Sequence, residues 1–88
     1  MDKIQILWAD DEIDLLKPHI LFLKEKGYDV QTATSGDEAI ELVGKNNFAV
    51  VLLDENMPGL SGLETLNRLK AKHSDMPVIM ITDRKSVV

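Results

Sequence analysis

The chain has 88 residues, of which 44% are hydrophobic and 28% are charged, and its formal net charge is −5. These values predict one small globular domain with a limited core, and they exclude a disordered chain. The acidic balance and the lack of a basic stripe argue against direct binding of nucleic acid. No apolar stretch reaches membrane-spanning length, the first residues do not form a signal peptide, and there is no cysteine, so we expect a cytoplasmic protein with no membrane partner.

Short apolar runs alternate with amphipathic stretches, which is typical of βα units around a parallel sheet. The first predicted strand is Ile4–Ala9, and its apolar residues occupy both faces, as in a central strand. A helix is predicted over residues 12–26, with Gly27 placed to end it. Pro18 lacks an N–H and is expected to bend this helix or to confine its regular part to the later turns. Tyr28–Ala33 is a second, more polar strand, expected at a sheet edge.

The second half of the chain repeats this alternation. Ser35 and Glu38 have capping-box spacing and predict a helix that ends near Asn46. A third strand is predicted over residues 48–53, and a fourth over Val78–Ile81, directly before Thr82. The apolar positions expected to face the core are Ile13, Leu16, Ile20 and Leu23 in the first helix, and Ala39, Ile40, Leu42 and Val43 in the second.

A third helix is predicted after Ser61, because Ser61 and Glu64 again have capping-box spacing. Leu63, Leu66 and Leu69 are expected to face inward from it. Right-handed crossovers then predict an α/β fold, a doubly wound parallel sheet with strand order 2-1-3-4.

Polar residues follow three of the predicted strands. Asp10 and Asp11 follow the first strand, Asp54 the third and Thr82 the fourth, so all four fall at one edge of the sheet. Three carboxylates close together repel one another unless a cation or proton intervenes. The pattern therefore indicates a site for a hard divalent metal beside a potential carboxylate nucleophile. Acidic residues at strand ends also cap helices, and Asp11 or Glu12 could serve as an N-cap, but capping does not explain the third acid.

The acidic pair, the string D-E-N-M-P-G-L-S-G at residues 54–62, and Thr82 together resemble the receiver domain of two-component response regulators. The resemblance covers essentially the whole chain up to Thr82. It implies a flavodoxin-like fold. More narrowly, the string L-W-A-D-D-E-I-D-L-L-K-P at residues 7–18 resembles receivers that are fused to a phosphatase-superfamily output domain.

The resemblance implies a role for each residue of the motif. Asp54 would be the phosphoacceptor, and Mg²⁺ would be held by Asp11 and Asp54, by Asp10 directly or through water, and by the backbone carbonyl of Asn56. The Thr82 hydroxyl would be the switch that responds to phosphorylation. The loop after the third strand would be shaped by Met57, Pro58, Gly59 and Gly62. The implied partners are a sensor histidine kinase and an output domain or downstream protein outside this chain. The domain would accept a phosphoryl group and would not be an enzyme beyond self-catalysed phosphorylation and dephosphorylation.

The sequence also departs from the family pattern. A full receiver has five βα units, whereas residues 1–88 contain three units and a fourth strand, so we expect a single, C-terminally truncated receiver domain that lacks the fifth unit and the helix before it. The lysine of the fifth strand is missing, and Lys85 follows the fourth strand too closely to replace it. Asp83 places a carboxylate where the family has a small uncharged residue. Whether this chain is phosphorylated therefore stays open.

Truncation also leaves the fourth strand as an apolar edge and uncovers part of one sheet face, so we expect self-association through these surfaces. Two alternative functions share features with this pattern. A receiver-like protein-interaction module without phosphorylation would keep the acids. A Mg²⁺-dependent phosphohydrolase would share the carboxylate nucleophile, but Asp54 is followed by Glu55 and Asn56, without the second acid two residues later that such enzymes use as a proton donor.

Overall fold

Four parallel strands form one sheet in the order β2-β1-β3-β4, which confirms the predicted order. The computed structural model describes residues 3–55, 57 and 59–81. The strands are β1 (Ile4–Ala9), β2 (Tyr28–Ala33), β3 (Val50–Asp54) and β4 (Val78–Ile81). β1 pairs with β2 along its whole length and with β3 from Ile6 to Ala9. The two inner strands therefore end side by side.

Three α-helices connect the strands, namely α1 (Lys17–Glu25), α2 (Gly36–Lys45) and α3 (Gly62–Lys72). The helix predicted over residues 12–26 divides into a 3₁₀ turn, Ile13–Leu16, and α1, which carries Pro18 in its first turn. Proline has no N–H to donate to a preceding carbonyl, so it fits the first turn of a helix but not its interior. The regular helix is therefore confined to the later turns, as expected. Gly27 ends the helix with φ 99°, a left-handed conformation that glycine adopts without strain. None of the helices within the described residues is both long and apolar enough to cross a membrane.

The predicted helix starts are confirmed by their caps. The Ser35 hydroxyl accepts the Glu38 N–H at 3.2 Å, but the Glu38 carboxylate accepts from Thr34 N instead of completing the box with Ser35. In α3 the box is complete, since Ser61 Oγ accepts the Glu64 N–H at 3.1 Å and Glu64 Oε1 accepts the Ser61 N–H at 3.4 Å. Each cap satisfies N–H groups that have no partner inside the helix.

Two apolar clusters pack on the two faces of the sheet. The α2 and α3 face is built around Leu7, Ala9, Ala39, Val43, Val51, Leu53 and Leu69. The α1 face is built around Ile6, Leu16, Ile20 and Val30, with Trp8, Ile13, Leu23 and Leu52 partly buried against them. Alternate residues of β1 and β3 thus serve opposite faces, as the two-residue period of a strand requires.

The prediction that Leu63 faces inward is wrong, because its side chain is 59% exposed. The buried positions of α3 are Gly62, Thr65 and Leu69, with Leu66 partly buried. This set follows helical spacing but includes two residues that a search for large apolar side chains passes over. Small residues on this face allow α3 to approach the sheet and α2 closely.

The third strand was predicted over residues 48–53, but β3 begins at Val50 and includes Asp54. Phe48 is buried although it precedes the strand, and the Ala49 N–H already donates to the Gln5 carbonyl at 2.7 Å. A run of apolar residues indicates burial, whereas a strand is defined by its hydrogen bonds to a neighbouring strand. The predicted strand therefore starts two residues before the observed one.

Candidate functional site

Asp10 follows β1 directly and is completely buried. Its N–H donates to the Ala33 carbonyl at 2.9 Å, which extends the pairing with β2 one residue beyond the strand. Its carboxylate Oδ1 accepts the Glu12 N–H at 2.8 Å. The bond to Ala33 therefore holds the Asp10 backbone, and the bond from Glu12 orients its carboxylate, at the carboxyl end of the sheet.

Asp11 and Glu12 complete a cluster of acids with Asp10. One carboxylate oxygen from each residue lies within 4.8 Å of the other two, and Asp11 and Glu12 are exposed. Hard divalent cations prefer such oxygen donors, so this donor set fits Mg²⁺. The sequence indicates a role for Glu12 only as a helix cap. It does occupy the N-cap position of the 3₁₀ turn, but its side chain makes no capping hydrogen bond.

Asp54 is the last residue of β3 and is 7% exposed. Ala9 pairs with Leu53 in the parallel register of β1 and β3, so the next residues, Asp10 and Asp54, follow side by side. Adjacent strands are about 4.8 Å apart. Among the described residues the group with mutually close oxygens is Asp10, Asp11 and Glu12, and Asp54 stands beside that group on the neighbouring strand.

The segment after Asp54 is tied to two other elements. The Glu55 N–H donates to the Ile81 carbonyl at 3.0 Å, and the Gly62 N–H donates to the Glu55 carbonyl at 3.2 Å. Met57 is buried in the core, and Gly59 has φ 76°, which an L-residue adopts only with strain. Asn56, Pro58, Thr82 and the residues after Thr82, including Asp83 and Lys85, lie outside the described residues.

An apolar groove lies on the α1 face of the sheet, separate from the acids. It has a volume of about 370 Å³ and is lined by Trp8, Pro18, His19, Phe22, Leu23 and Leu52. The indole Nε1 of Trp8 is buried and has no hydrogen-bond partner within the part of the chain that the structure describes. The lining is mainly apolar and offers little for polar chemistry, so this groove is not a catalytic site.

The chain is similar to several known proteins. It is 39% identical over 87 residues to the transcriptional regulatory protein YkoG of Bacillus subtilis, covering 99% of this chain and 38% of YkoG. The response regulator TrrA of Thermotoga maritima, solved in complex with Mg²⁺-BeF, superposes with a TM-score of 0.84 at 34% identity over 96% of this chain and 76% of that chain. TrrA bound to the histidine kinase ThkA gives a TM-score of 0.83, again at 34% identity, over 97% of this chain and 76% of that chain.

The sequence thus spans well under half the length of YkoG. The model of the response regulator receiver domain matches residues 6–88, which is nearly the whole chain. The order of the strands, the acids at the carboxyl ends of β1 and β3, and this match agree with one another. The chain therefore belongs to the response regulator receiver domain family.

Proposed function

We propose that Asp54 is the phosphoacceptor of this receiver domain. The observation that carries the proposal is the parallel register of β1 and β3, which sets Asp54 beside Asp10 at the carboxyl ends of these two strands. A carboxylate oxygen of Asp54 attacks the phosphorus of a phosphohistidine or of a small acyl phosphate. The bond from phosphorus to the leaving group breaks, the leaving group keeps the electron pair, and Asp54 becomes an aspartyl phosphate.

The acids around Asp54 set the conditions for this transfer. Asp10, Asp11, Asp54 and the backbone carbonyl of Asn56 would hold Mg²⁺, and Glu12 adds a further carboxylate to the cluster. When bound, the ion neutralises charge and aligns the phosphoryl group. The fixed carboxylate of Asp10 keeps its place in the ligand set because the Glu12 N–H holds it. Without a cation the same cluster repels an incoming phosphate, so transfer depends on Mg²⁺.

Phosphorylation shifts the conformation around Thr82 in this proposal. The support is the pairing of Asp54 with Ile81 in the β3–β4 register, together with the hydrogen bond from Glu55 N–H to the Ile81 carbonyl. A change in position of residues 54 and 55 therefore reaches the residue directly before Thr82. The added charge and acceptor oxygens give the Thr82 hydroxyl a new partner.

The proposed partners are a sensor histidine kinase as phosphodonor and an output domain or downstream protein as effector. The structure of TrrA bound to ThkA supports the first. We propose a cytoplasmic location, a role as phosphoryl acceptor without multiple-turnover catalysis, and a single domain over residues 1–88.

The string at residues 7–18 supports a phosphatase-superfamily output domain, whereas YkoG is a transcriptional regulatory protein. Sequencing of the surrounding gene decides between these outputs.

We also propose that the 88-residue chain self-associates through β4 and the neighbouring sheet face. β4 is an edge strand of apolar residues, and Ile79 is 55% exposed. Apolar, uncharged edge strands pair readily with a second chain. Ile79 pairs with Leu52 in the β3–β4 register, so the groove lined by Trp8 and Leu52 adds apolar surface on the same face as Ile79.

Incubation with acetyl phosphate and Mg²⁺, followed by intact-mass measurement, tests the phosphoacceptor role. We expect one phosphoryl adduct on the wild type, no adduct on Asp54→Asn, and no adduct when EDTA removes the metal. Asp14→Asn, which changes an exposed acid outside the site, serves as the matched control and keeps the adduct. An adduct that survives in Asp54→Asn would contradict the proposal.

A second measurement separates a receiver from an interaction module that is not phosphorylated. Beryllofluoride with Mg²⁺ mimics the phosphoryl group, so a receiver responds with a change in chemical shifts or in Trp8 fluorescence. The change disappears in Asp54→Asn. A wild-type chain that shows no response to beryllofluoride and no mass adduct favours the interaction module.

A further inference from the structure

Helix α3 begins in direct contact with the backbone of the proposed phosphoacceptor. Gly62 is the first residue of α3 and is buried. A Cβ atom placed on Gly62 would lie 2.4 Å from the Asp54 carbonyl oxygen and 2.9 Å from Glu55 Cα. Cβ atoms are essentially never found within 3.0 Å of another heavy atom. Any other residue at this position therefore forces α3 and the end of β3 apart.

Backbone conformation does not explain the glycine at this position. Within the described part of the chain, the glycines with positive φ are Gly27 and Gly59. Gly62 has an ordinary φ that any residue adopts in the first turn of a helix. What this position requires is space beside Asp54, and the third close atom, Met80 Cε at 3.1 Å, belongs to a flexible side chain that can move away.

Hydrogen bonds hold the same contact from both sides. The Gly62 N–H donates to the Glu55 carbonyl, and the Glu55 N–H donates to the Ile81 carbonyl, so residues 54 and 55 are clamped between α3 and β4. The carboxylate of Asp54 is attached to this backbone through a single CH₂ group. A displacement of the Asp54 backbone therefore moves its carboxylate by a similar distance.

We propose that Gly62 is a positioning residue, which sets the Asp54 carboxylate relative to Asp10 and Asp11 by allowing α3 to touch the Asp54 carbonyl. This inference rests on the proposed function. An alanine must widen the contact from 2.4 Å to at least 3.0 Å. Misplacement of a reacting group by about 1 Å slows a reaction by about 100-fold. Gly62 itself touches no reacting atom and acts through Asp54.

Gly36 offers a matched control. It is the buried first residue of α2, and a Cβ there would meet Thr65 Oγ1 at 2.1 Å and Leu60 Cβ at 3.0 Å. Gly36→Ala therefore disturbs the packing of α2 on α3 through side-chain atoms, whereas Gly62→Ala presses on backbone atoms of β3. The three nearest atoms to Gly36 belong to Thr65 and Leu60, so the substitution does not press on the Asp54 backbone.

The experiment compares wild type, Gly62→Ala and Gly36→Ala in the 88-residue chain. The Mg²⁺ dissociation constant and the initial rate of phosphorylation by acetyl phosphate are measured and divided by the folded fraction from urea unfolding. We expect Gly62→Ala to weaken Mg²⁺ binding and to slow phosphorylation by about 10- to 100-fold. Gly36→Ala should also lose stability but keep both values near wild type. All variants are made in a Gly44→Ala background, where the new Cβ meets no atom within 4 Å and favours the helix, so that the damaged proteins stay folded.

Two results would overturn the inference. One is a Gly62→Ala protein that binds Mg²⁺ with the wild-type dissociation constant. The other is a Gly36→Ala protein that loses Mg²⁺ affinity as strongly as Gly62→Ala, since general loss of packing would then explain both. A wild-type chain that binds Mg²⁺ but takes no phosphoryl group would remove the proposed function of Asp54, whereas the Mg²⁺ affinities would still decide the role of Gly62.

Discussion

Glu12 brings a third carboxylate to the cluster of Asp10 and Asp11, and it does so through the shape of the turn after β1. The Glu12 N–H donates to Asp10 Oδ1, which folds residue 12 back toward residue 10. An exposed carboxylate within 4.8 Å of two others raises the negative potential at the site. In the proposed Mg²⁺ site, the charge of Glu12 would therefore favour the cation even without direct contact.

The first prediction concerns this charge. Glu12→Gln should weaken Mg²⁺ binding by about two- to tenfold at low salt, because it removes one unit of charge within 4.8 Å of the carboxylates of Asp10 and Asp11, which would hold the ion. The loss should shrink as ionic strength rises, since the side chain is exposed. Isothermal titration with Mg²⁺ at two salt concentrations measures it. Glu25→Gln makes the same chemical change on an exposed residue outside the cluster, and equal losses in both variants would show that only net charge matters.

The second prediction concerns the loop after Asp54. Gly59 has φ 76° with open space around it, so Gly59→Ala meets no atom but forces an L-residue into the left-handed region. We expect a loss of about 1 kcal/mol in the free energy of unfolding. Gly44→Ala, also in open space but inside α2, should gain about 0.5 to 1 kcal/mol. Urea unfolding of both variants gives the comparison, and a stabilised Gly59→Ala protein would show that the loop does not need this conformation.

At the scale of elements, two leucines of α3 that were both predicted to face inward differ in burial. Leu69 is 1% exposed, whereas Leu63 is 59% exposed. Leu69→Ala should cost about 2 to 5 kcal/mol, because it opens a cavity between α3 and the sheet. Leu63→Ala should change the free energy of unfolding by less than about 0.5 kcal/mol. Chemical denaturation tests both, and a large loss for Leu63→Ala would mean that this residue is covered in solution.

Local patterns predicted the helix starts because a cap depends on residues three or four positions apart, as in Ser61 and Glu64. They also predicted that Asp10 and Asp54 would follow neighbouring strands, because parallel strands end at a common edge once their order is known.

The spacing predicted Leu66 and Leu69 on the inward face of α3 correctly, but it missed Gly62 and Thr65 and wrongly included Leu63. The full inward face depends on how closely Gly62 and Thr65 approach the sheet and α2, which is a property of tertiary packing and leaves no hydrophobic signal in the sequence.

Two further features escaped prediction for the same reason: the place of Glu12 in the acidic cluster, and the contact of Gly62 with the Asp54 backbone. The first depends on the turn that joins Asp10 to Glu12, and the second on the distance between α3 and the end of β3. Both involve backbone atoms brought together by the fold. Residue types and their spacing carry information about side-chain chemistry, so they revealed the acids but not the backbone contacts that place them.

At the scale of the whole molecule, a folded chain of 88 residues by itself buries a modest fraction of its unfolded surface, so its margin of stability is small. Within the described residues, the strand β4 also exposes backbone groups that have no partner strand on one side, because it lies at the edge of the sheet. It carries no charged residue and consists of Val78, Ile79, Met80 and Ile81. Covering this edge and the exposed side chain of Ile79 with a second copy removes apolar surface from water and pairs backbone groups.

The last prediction follows from this edge. Ile79→Lys should shift the 88-residue chain toward the monomer, because a lysine on an edge strand stays solvated and opposes pairing with a second strand. Ile4→Lys is the matched control, since Ile4 is 53% exposed and Ile79 55%, but Ile4 lies in the interior strand β1. Sedimentation velocity over a wide range of concentration measures the distribution of species. A wild-type chain that stays monomeric at the highest concentration, or an equal shift in both variants, would remove β4 as the association surface and leave the apolar groove beside Trp8 as the surface to test next.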